Sequence, residues 1–155
     1  VFAVILADDL CNCDEDGVIA QMIKIYNKYK CSIVAIQEVP INQTKKYGII
    51  SGNLLDNSNN TYQVIDMVEK PEEKNAPSNM AIIGRYILTP DIFDILKKIK
   101  PDKHGEIQLT DALNIQAKQG KVIAYKFKGK RFDCGSVKGY LEANNYFANK
   151  LNNNF

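Results

Sequence analysis

The first ten residues, VFAVILADDL, run through six apolar side chains almost without a break and then meet two carboxylates in succession, Asp8 and Asp9. An unbroken apolar run of this length reads as a strand buried on both faces, as in the middle of a parallel sheet. Such a strand needs neighbours on both sides and helices above and below, so it narrows the chain to an α/β fold. The following segment, DEDGVIAQMIKIYNKYK (14–30), carries Val18, Met22, Ile25, Tyr26 and Tyr29 at helical spacing. Acids in its first turn and Lys28 and Lys30 in its last match the helix dipole. CSIVAIQEV (31–39) is β-branched and ends at Pro40. Strand, helix, strand predicts a right-handed βαβ unit of a doubly wound sheet.

The rest of the chain departs from a purely parallel pattern. YGIISGNLLDNSNNTYQVIDMVEKP (47–71) holds two β-rich runs around the turn cluster DNSNN, which predicts a long hairpin. MAIIGRYIL (80–88) is a further strand with Gly84 inside it, a place where a ligand or another backbone comes close. Thr89-Pro90-Asp91 opens a helix over 90–99, with Thr89 as the capping hydroxyl. A second helix spans Ile107 to Lys118, and VIAYKFKG (122–129) is a strand with alternating faces. In the last helix Val137, Tyr140, Leu141, Asn144, Phe147 and Ala148 recur at helical spacing, and LNNNF (151–155) reads as a fraying end. The expected architecture is one domain over 1–155, α/β, with a mixed but mostly parallel sheet and flanking helices.

Totals exclude several classes. Twenty bases against eighteen acids leave a net charge of +2, which argues against a general nucleic-acid binder. No stretch reaches the length of a membrane span, and residues 1–16 lack the pattern of a signal peptide. Cys11, Cys13, Cys31 and Cys134 are scattered, and a chain of this size does not need a disulfide framework, so reduced thiols in a cytoplasm are expected. Cys11-x-Cys13 with the lone His104 is no zinc pattern.

Four stretches carry chemistry. In LADDL, Asp8 falls beyond the carboxyl end of a strand, where open α/β sheets bind ligands. There it either caps the next turn or holds Mg²⁺, which prefers one or two carboxylates together with phosphate oxygens. In MVEKP, Glu69 and Lys70 are adjacent and point apart on a regular strand, so they reach one ligand only where the strand ends or twists. Glu69 suits sugar hydroxyls and Lys70 a phosphate; the alternative is a solvated strand end. In RFDCGS, Asp133 is either a second metal-facing acid or the cap of the last helix. HGEIQLTDA, with Glu106, Thr110 and Asp111, reads by spacing as a polar-faced helix. Phosphate loops of the GxxxxGK[ST] and GxGxxG types and a Ser-His-Asp set are missing, so any enzyme here works by holding a metal and charges.

Six pieces, FAVILADDL, YGII, MVEKP, APSNMAIIGRYIL, GEIQLTDAL and KGKRFDCGSVKGY, resemble in order the bacterial UTP–glucose-1-phosphate uridylyltransferases, or UDP-glucose pyrophosphorylases. They span Phe2 to Tyr140. The resemblance implies a mixed-sheet fold of the nucleotide-diphospho-sugar transferase (Rossmann-like) type. It also implies Mg²⁺-dependent uridylyl transfer from UTP to glucose 1-phosphate, giving UDP-glucose and pyrophosphate. It assigns Asp8 and Asp133 to the metal, and counts both with Lys70 as catalytic. Glu69 meets glucose hydroxyls, Lys70 the sugar phosphate, Gly48 a close approach to the sugar ring, and Ile82, Gly84 and Tyr86 the sugar pocket. Ala7 stands where many relatives have Pro. The family's basic, Gly-rich phosphate loop has no counterpart in 1–155, so the chain is expected to be the latter part of a longer enzyme. That fragment is expected to lack turnover of its own and to associate through uncovered edges. A homo-oligomer, dimer or tetramer, is implied for the full-length enzyme. Alternatives are a sister thymidylyltransferase and a non-catalytic sugar-phosphate-binding domain.

Overall fold

The computed structural model describes residues 1–55, 59–102 and 104–152, with the side chain of Asn152 left aside. The strands are β1 (Phe2–Ile5), β2 (Asp9–Asn12), β3 (Ser32–Glu38), β4 (Gly48–Leu54), β5 (Thr61–Glu69), β6 (Met80–Leu88), β7 (Val122–Lys126) and β8 (Lys130–Asp133). The helices are α1 (Val18–Tyr29), α2 (Ile92–Leu96), α3 (Leu109–Lys118) and α4 (Val137–Asn152). Six strands form one sheet in the order β1-β6-β3-β7-β5-β4, while β2 and β8 make a separate antiparallel ribbon. No described helix is long and apolar enough to cross a membrane.

The sheet is mixed, but it is not mostly parallel. Only β3 and β7 run parallel, from Ser32↔Val122 to Ile36↔Lys126; the other pairings among the described residues are antiparallel. The βαβ unit read from the first 39 residues is split. β6 inserts between β1 and β3 and runs antiparallel to both, so those two strands share a direction without touching. β4 also meets β6, at Ile49↔Ala81 and Ile50↔Met80, so the pairings β6-β3-β7-β5-β4 close on themselves.

The opening strand is an edge, not a centre. β6 covers one side of β1, and its residues alternate between half-buried (Phe2, Val4) and exposed (Ala3, Ile5). β3, β6 and β7 are the most buried strands, and β7 hides both faces because Val122 and Ala124 enter one core while Ile123 and Tyr125 enter the other. Alternation along β3 sends Ile33 and Ala35 to the α1 side, with Met22, Ile83, Ile87 and Ile123. Val34 and Ile36 face the other side, with Ile50, Met67, Ile82 and Leu113 beneath α2 and α3. Fully buried side chains such as Met22 and Leu113 each contribute about 1.5–3 kcal/mol through removal from water.

Element ends differ from the sequence reading for local reasons. α1 begins at Val18 after Gly17, so acids 14–16 precede the helix and leave its first turn without one. The helix expected over 90–99 is only Ile92–Leu96, and Asp91, not Thr89, flanks it. Thr89 Oγ1 instead lies 3.1 Å from Ser32 Oγ and accepts from Gln116 Nε2 at 3.2 Å, tying β6 to β3 and α3. In α4 the side against the ribbon is Ala143, Tyr146 and Phe147, with the two rings 5.0 and 6.0 Å from Phe132, while Val137, Tyr140 and Leu141 are exposed. All four cysteines are unpaired, and burial pushes the Cys31 thiol up to about 11. The turn expected at DNSNN and the fray at LNNNF fall partly on residues 56–58 and 153–155, outside the described residues.

Candidate active site

β6 shares one flank between two partners, β1 at Arg85–Leu88 and β4 at Met80–Ala81. Between them the ladder is interrupted, and a cavity of about 420 Å³ opens there, large enough for a small ligand. All eight residues singled out from the sequence line it: Asp8, Gly48, Glu69, Lys70, Ile82, Gly84, Tyr86 and Asp133.

Glu69 and Lys70 reach the same cavity because β5 ends between them. Lys70 takes φ 45°, the left-handed region, and its N–H donates to the Tyr47 carbonyl at 3.0 Å. A non-glycine residue held there is the kind of strain that clusters at ligand sites. Lys70 Nζ lies 3.8 Å from Glu69 Oε1, while Thr110 Oγ1 donates to Glu69 Oε2 at 2.5 Å. Gly48 faces this pair. A Cβ there would sit 3.1 Å from both Glu69 Oε2 and Thr110 Oγ1, so its bareness is what lets the wall close up. Tyr86 closes the cavity from β6. Burial, with the Glu69 and Asp9 carboxylates nearby, pushes its phenol up to about 12, which keeps it a donor.

The ribbon brings the acids together. Asp9 and Asp133 are register partners, and the Asp8 carbonyl accepts from Cys134 N at 2.7 Å. A Cβ on Gly135 would lie 3.0 Å from Asp8 Oδ2 and 3.3 Å from Asp133 Oδ1, so both carboxylates lie against the bare side of this glycine. The helix cap proposed for Asp133 belongs to Ser136, whose Oγ accepts from Gly139 N at 3.1 Å. The Asp133 carboxylate is thereby left to the cavity.

Adjacent Asp9 has a different job. It is buried, its Oδ2 accepts from Gly84 N at 2.7 Å, and its Oδ1 pairs with Arg131 Nε. Arg85 donates to the Asp9, Leu6 and Gly84 carbonyls, which locks the turn between β1 and β2. Burial works against the Arg131 charge, but its bonds with Tyr47 and Asp9 outweigh that and raise its pKa.

Arg131, Tyr47, Lys46, Gln108 and Thr110 also line the cavity, and none was assigned to the site from sequence. Thr110 reads there as part of a structural helix; its contact with Glu69 crosses 41 positions and leaves no local trace. Glu106 and His104 stay outside and line a neighbouring hollow of about 570 Å³ that shares Glu69, Lys70 and Gln108.

Residues 1–150 match the family model described as nucleotidyl transferase. The chain belongs to the nucleotidyl transferase family. Over 146 residues it is 61% identical to a UTP–glucose-1-phosphate uridylyltransferase of Pseudomonas aeruginosa, covering 94% of this chain and 52% of that protein. Over 149 residues it is 40% identical to a protein of the same name from Staphylococcus epidermidis, covering 96% and 51%. It therefore spans about half the length of the curated relatives it matches. A crystal structure of UDP-glucose pyrophosphorylase complexed with UDP-glucose superposes with TM-score 0.91 at 59% identity, over 96% of this chain and 56% of that one. A putative glucose-1-phosphate thymidylyltransferase from Bacillus anthracis gives 0.70 at 26%, over 93% and 53%. The mixed sheet and its ribbon are thus a nucleotidyl transferase fold.

Proposed function

We propose that this chain carries the sugar-phosphate side, and the metal seat, of a site that transfers a uridylyl group from UTP to glucose 1-phosphate. The phosphate oxygen of glucose 1-phosphate bonds to the α-phosphorus of UTP, the bond to the bridging oxygen breaks, and pyrophosphate leaves. The observation that carries this is the convergence of Glu69, Lys70, Asp8 and Asp133 on one cavity.

Each group does a defined part. Glu69, held by Thr110, accepts hydrogen bonds from glucose hydroxyls, and Lys70 meets the sugar phosphate as a point charge. Gly48, Ile82, Gly84 and Tyr86 line the space for the sugar ring; Gly48 leaves room for Glu69 and Thr110, and Gly84 for Leu6 and the Asp9 carboxylate. Asp8 and Asp133 suit magnesium, since both are hard oxygen donors lining one cavity and that ion takes one or two carboxylates beside substrate phosphates. When bound, magnesium neutralises phosphate charge, the main demand of such a transfer. Uridylyl rather than thymidylyl transfer is favoured by the closer likeness, 59% identity against 26%.

The test fuses this chain to the part of the Pseudomonas aeruginosa relative it does not span and follows pyrophosphate release. Turnover with UTP and glucose 1-phosphate is expected. Lys70→Ala should weaken use of glucose 1-phosphate about 10- to 100-fold, the worth of a hydrogen-bonded charge. Preference for dTTP would move the reading to thymidylyl transfer; binding of glucose 1-phosphate without any turnover would reduce it to a sugar-phosphate-binding domain.

A further inference from the structure

Asp133 has two carboxylate oxygens in different surroundings. Oδ1 faces Asp8 across Gly135, while Oδ2 accepts from the Tyr47 hydroxyl at 2.9 Å and lies 3.6 Å from Arg131 Nη2. Arg131 is almost wholly buried, its guanidinium lies 5.1 Å from the centre of the Tyr47 ring, and its Nη1 donates to the Tyr47 oxygen at 3.3 Å. Asp9 grips Nε of the same guanidinium and is itself held by Gly84 N.

From this we infer that Tyr47 and Arg131, braced by Asp9, are positioning residues that fix the Asp133 carboxylate so that Oδ1 alone is presented beside Asp8. The inference rests on the reading of Asp8 and Asp133 as the metal seat and goes beyond it by assigning the device that aims one of the two ligands. The path is continuous. Gly84 N–H donates to Asp9, Asp9 pairs with Arg131, Arg131 donates to Tyr47, and Tyr47 donates to Asp133. A rotation of the Asp133 carboxylate away from this orientation breaks that bond, which returns only when the two equivalent oxygens have changed places. Two oxygens competing for one ion in different geometries become one oxygen in one geometry. Preorganisation of this kind is how partners behind a ligand raise metal affinity.

Tyr47→Phe removes the hydroxyl and keeps the ring that lies against Arg131. Mn²⁺ is titrated into residues 1–155, with the free ion followed by its electron paramagnetic resonance signal and the thermal midpoint recorded alongside. The expectation is that the wild type binds Mn²⁺ and that Asp133→Asn weakens binding strongly. Tyr47→Phe should weaken it by about 10-fold, as loss of a ligand's hydrogen-bond partner does. Tyr47→Phe with wild-type Mn²⁺ affinity overturns the positioning role, whatever happens to the midpoint, and leaves the metal seat standing. A wild-type chain that leaves Mn²⁺ free, or an Asp133→Asn chain that binds as the wild type does, overturns the metal seat and this inference with it.

Discussion

Asp8 and Asp9 are neighbours with opposite fates. Asp8 is exposed and turned toward Asp133, whereas Asp9 is buried in a pair with Arg131. Replacing an exposed side chain changes stability by less than about 0.5 kcal/mol, while breaking a buried ion pair costs about 3–5 kcal/mol. Asp8→Asn should therefore keep the wild-type urea midpoint and lose Mn²⁺ binding. Asp9→Asn should unfold at markedly lower urea, because buried Arg131 loses the carboxylate on its Nε and keeps only Asp133, 3.6 Å from Nη2. A denaturation series on the two variants checks both. Sequence alone finds two acids at the end of a strand but cannot tell which is ligand and which is brace. That division depends on Arg131, 122 positions away. Lys70 and Glu69 are more legible, since Pro71 stops β5 beside them and adjacency does the rest.

Among the elements, the hairpin β4–β5 and the strand β6 can be read closely from the sequence. Their ends carry their own signals: Gly48, the polar turn, Pro71, and the change to Thr89-Pro90. Helix ends are harder, because Thr89 satisfies β3 and α3 instead of capping α2. The segment before α3 is organised by one carboxylate. Asp102 accepts from His104 N at 2.8 Å, Glu106 N at 3.0 Å and Gln108 Nε2 at 2.9 Å. These bonds, the Gln108 amide first, hold its carboxyl at about 2, below the 3.8 of an ordinary Asp. A depressed pKa contributes stability that is fully present above the unfolded value and is lost as pH falls through the folded one. The bonds from His104, Glu106 and Gln108 to Asp102 should therefore stay intact at pH 4 and come apart as pH falls toward 2. The amide shifts of His104 and Glu106, followed by ¹⁵N spectroscopy, should move together with a midpoint near that value. Movement centred near 4 would show that Asp102 does not hold the turn.

For the whole molecule, strand order is what sequence leaves open. Apolar runs predict which segments are strands, but the insertion of β6 between β1 and β3 is decided by pairings that span more than forty residues. The same insertion leaves β1 at a margin, with Val1, Ile5 and Leu6 exposed and Phe2 stacked on the exposed Phe93. An uncovered, apolar strand edge is a template for pairing with another chain. Residues 1–155 should self-associate in sedimentation velocity, and Ile5→Lys should shift them toward monomer without changing the circular dichroism spectrum. Association unaffected by Ile5→Lys would place the contact elsewhere. The break in the β6 ladder has a kinetic side as well. Gly84 N–H bonds to a side chain in the gap between the β1 and β4 pairings, where a neighbouring strand would otherwise hold it. Deuterium uptake at residue 84 therefore clocks the release of Asp9 from its brace, so a single amide reports how often the floor of the cavity lets go.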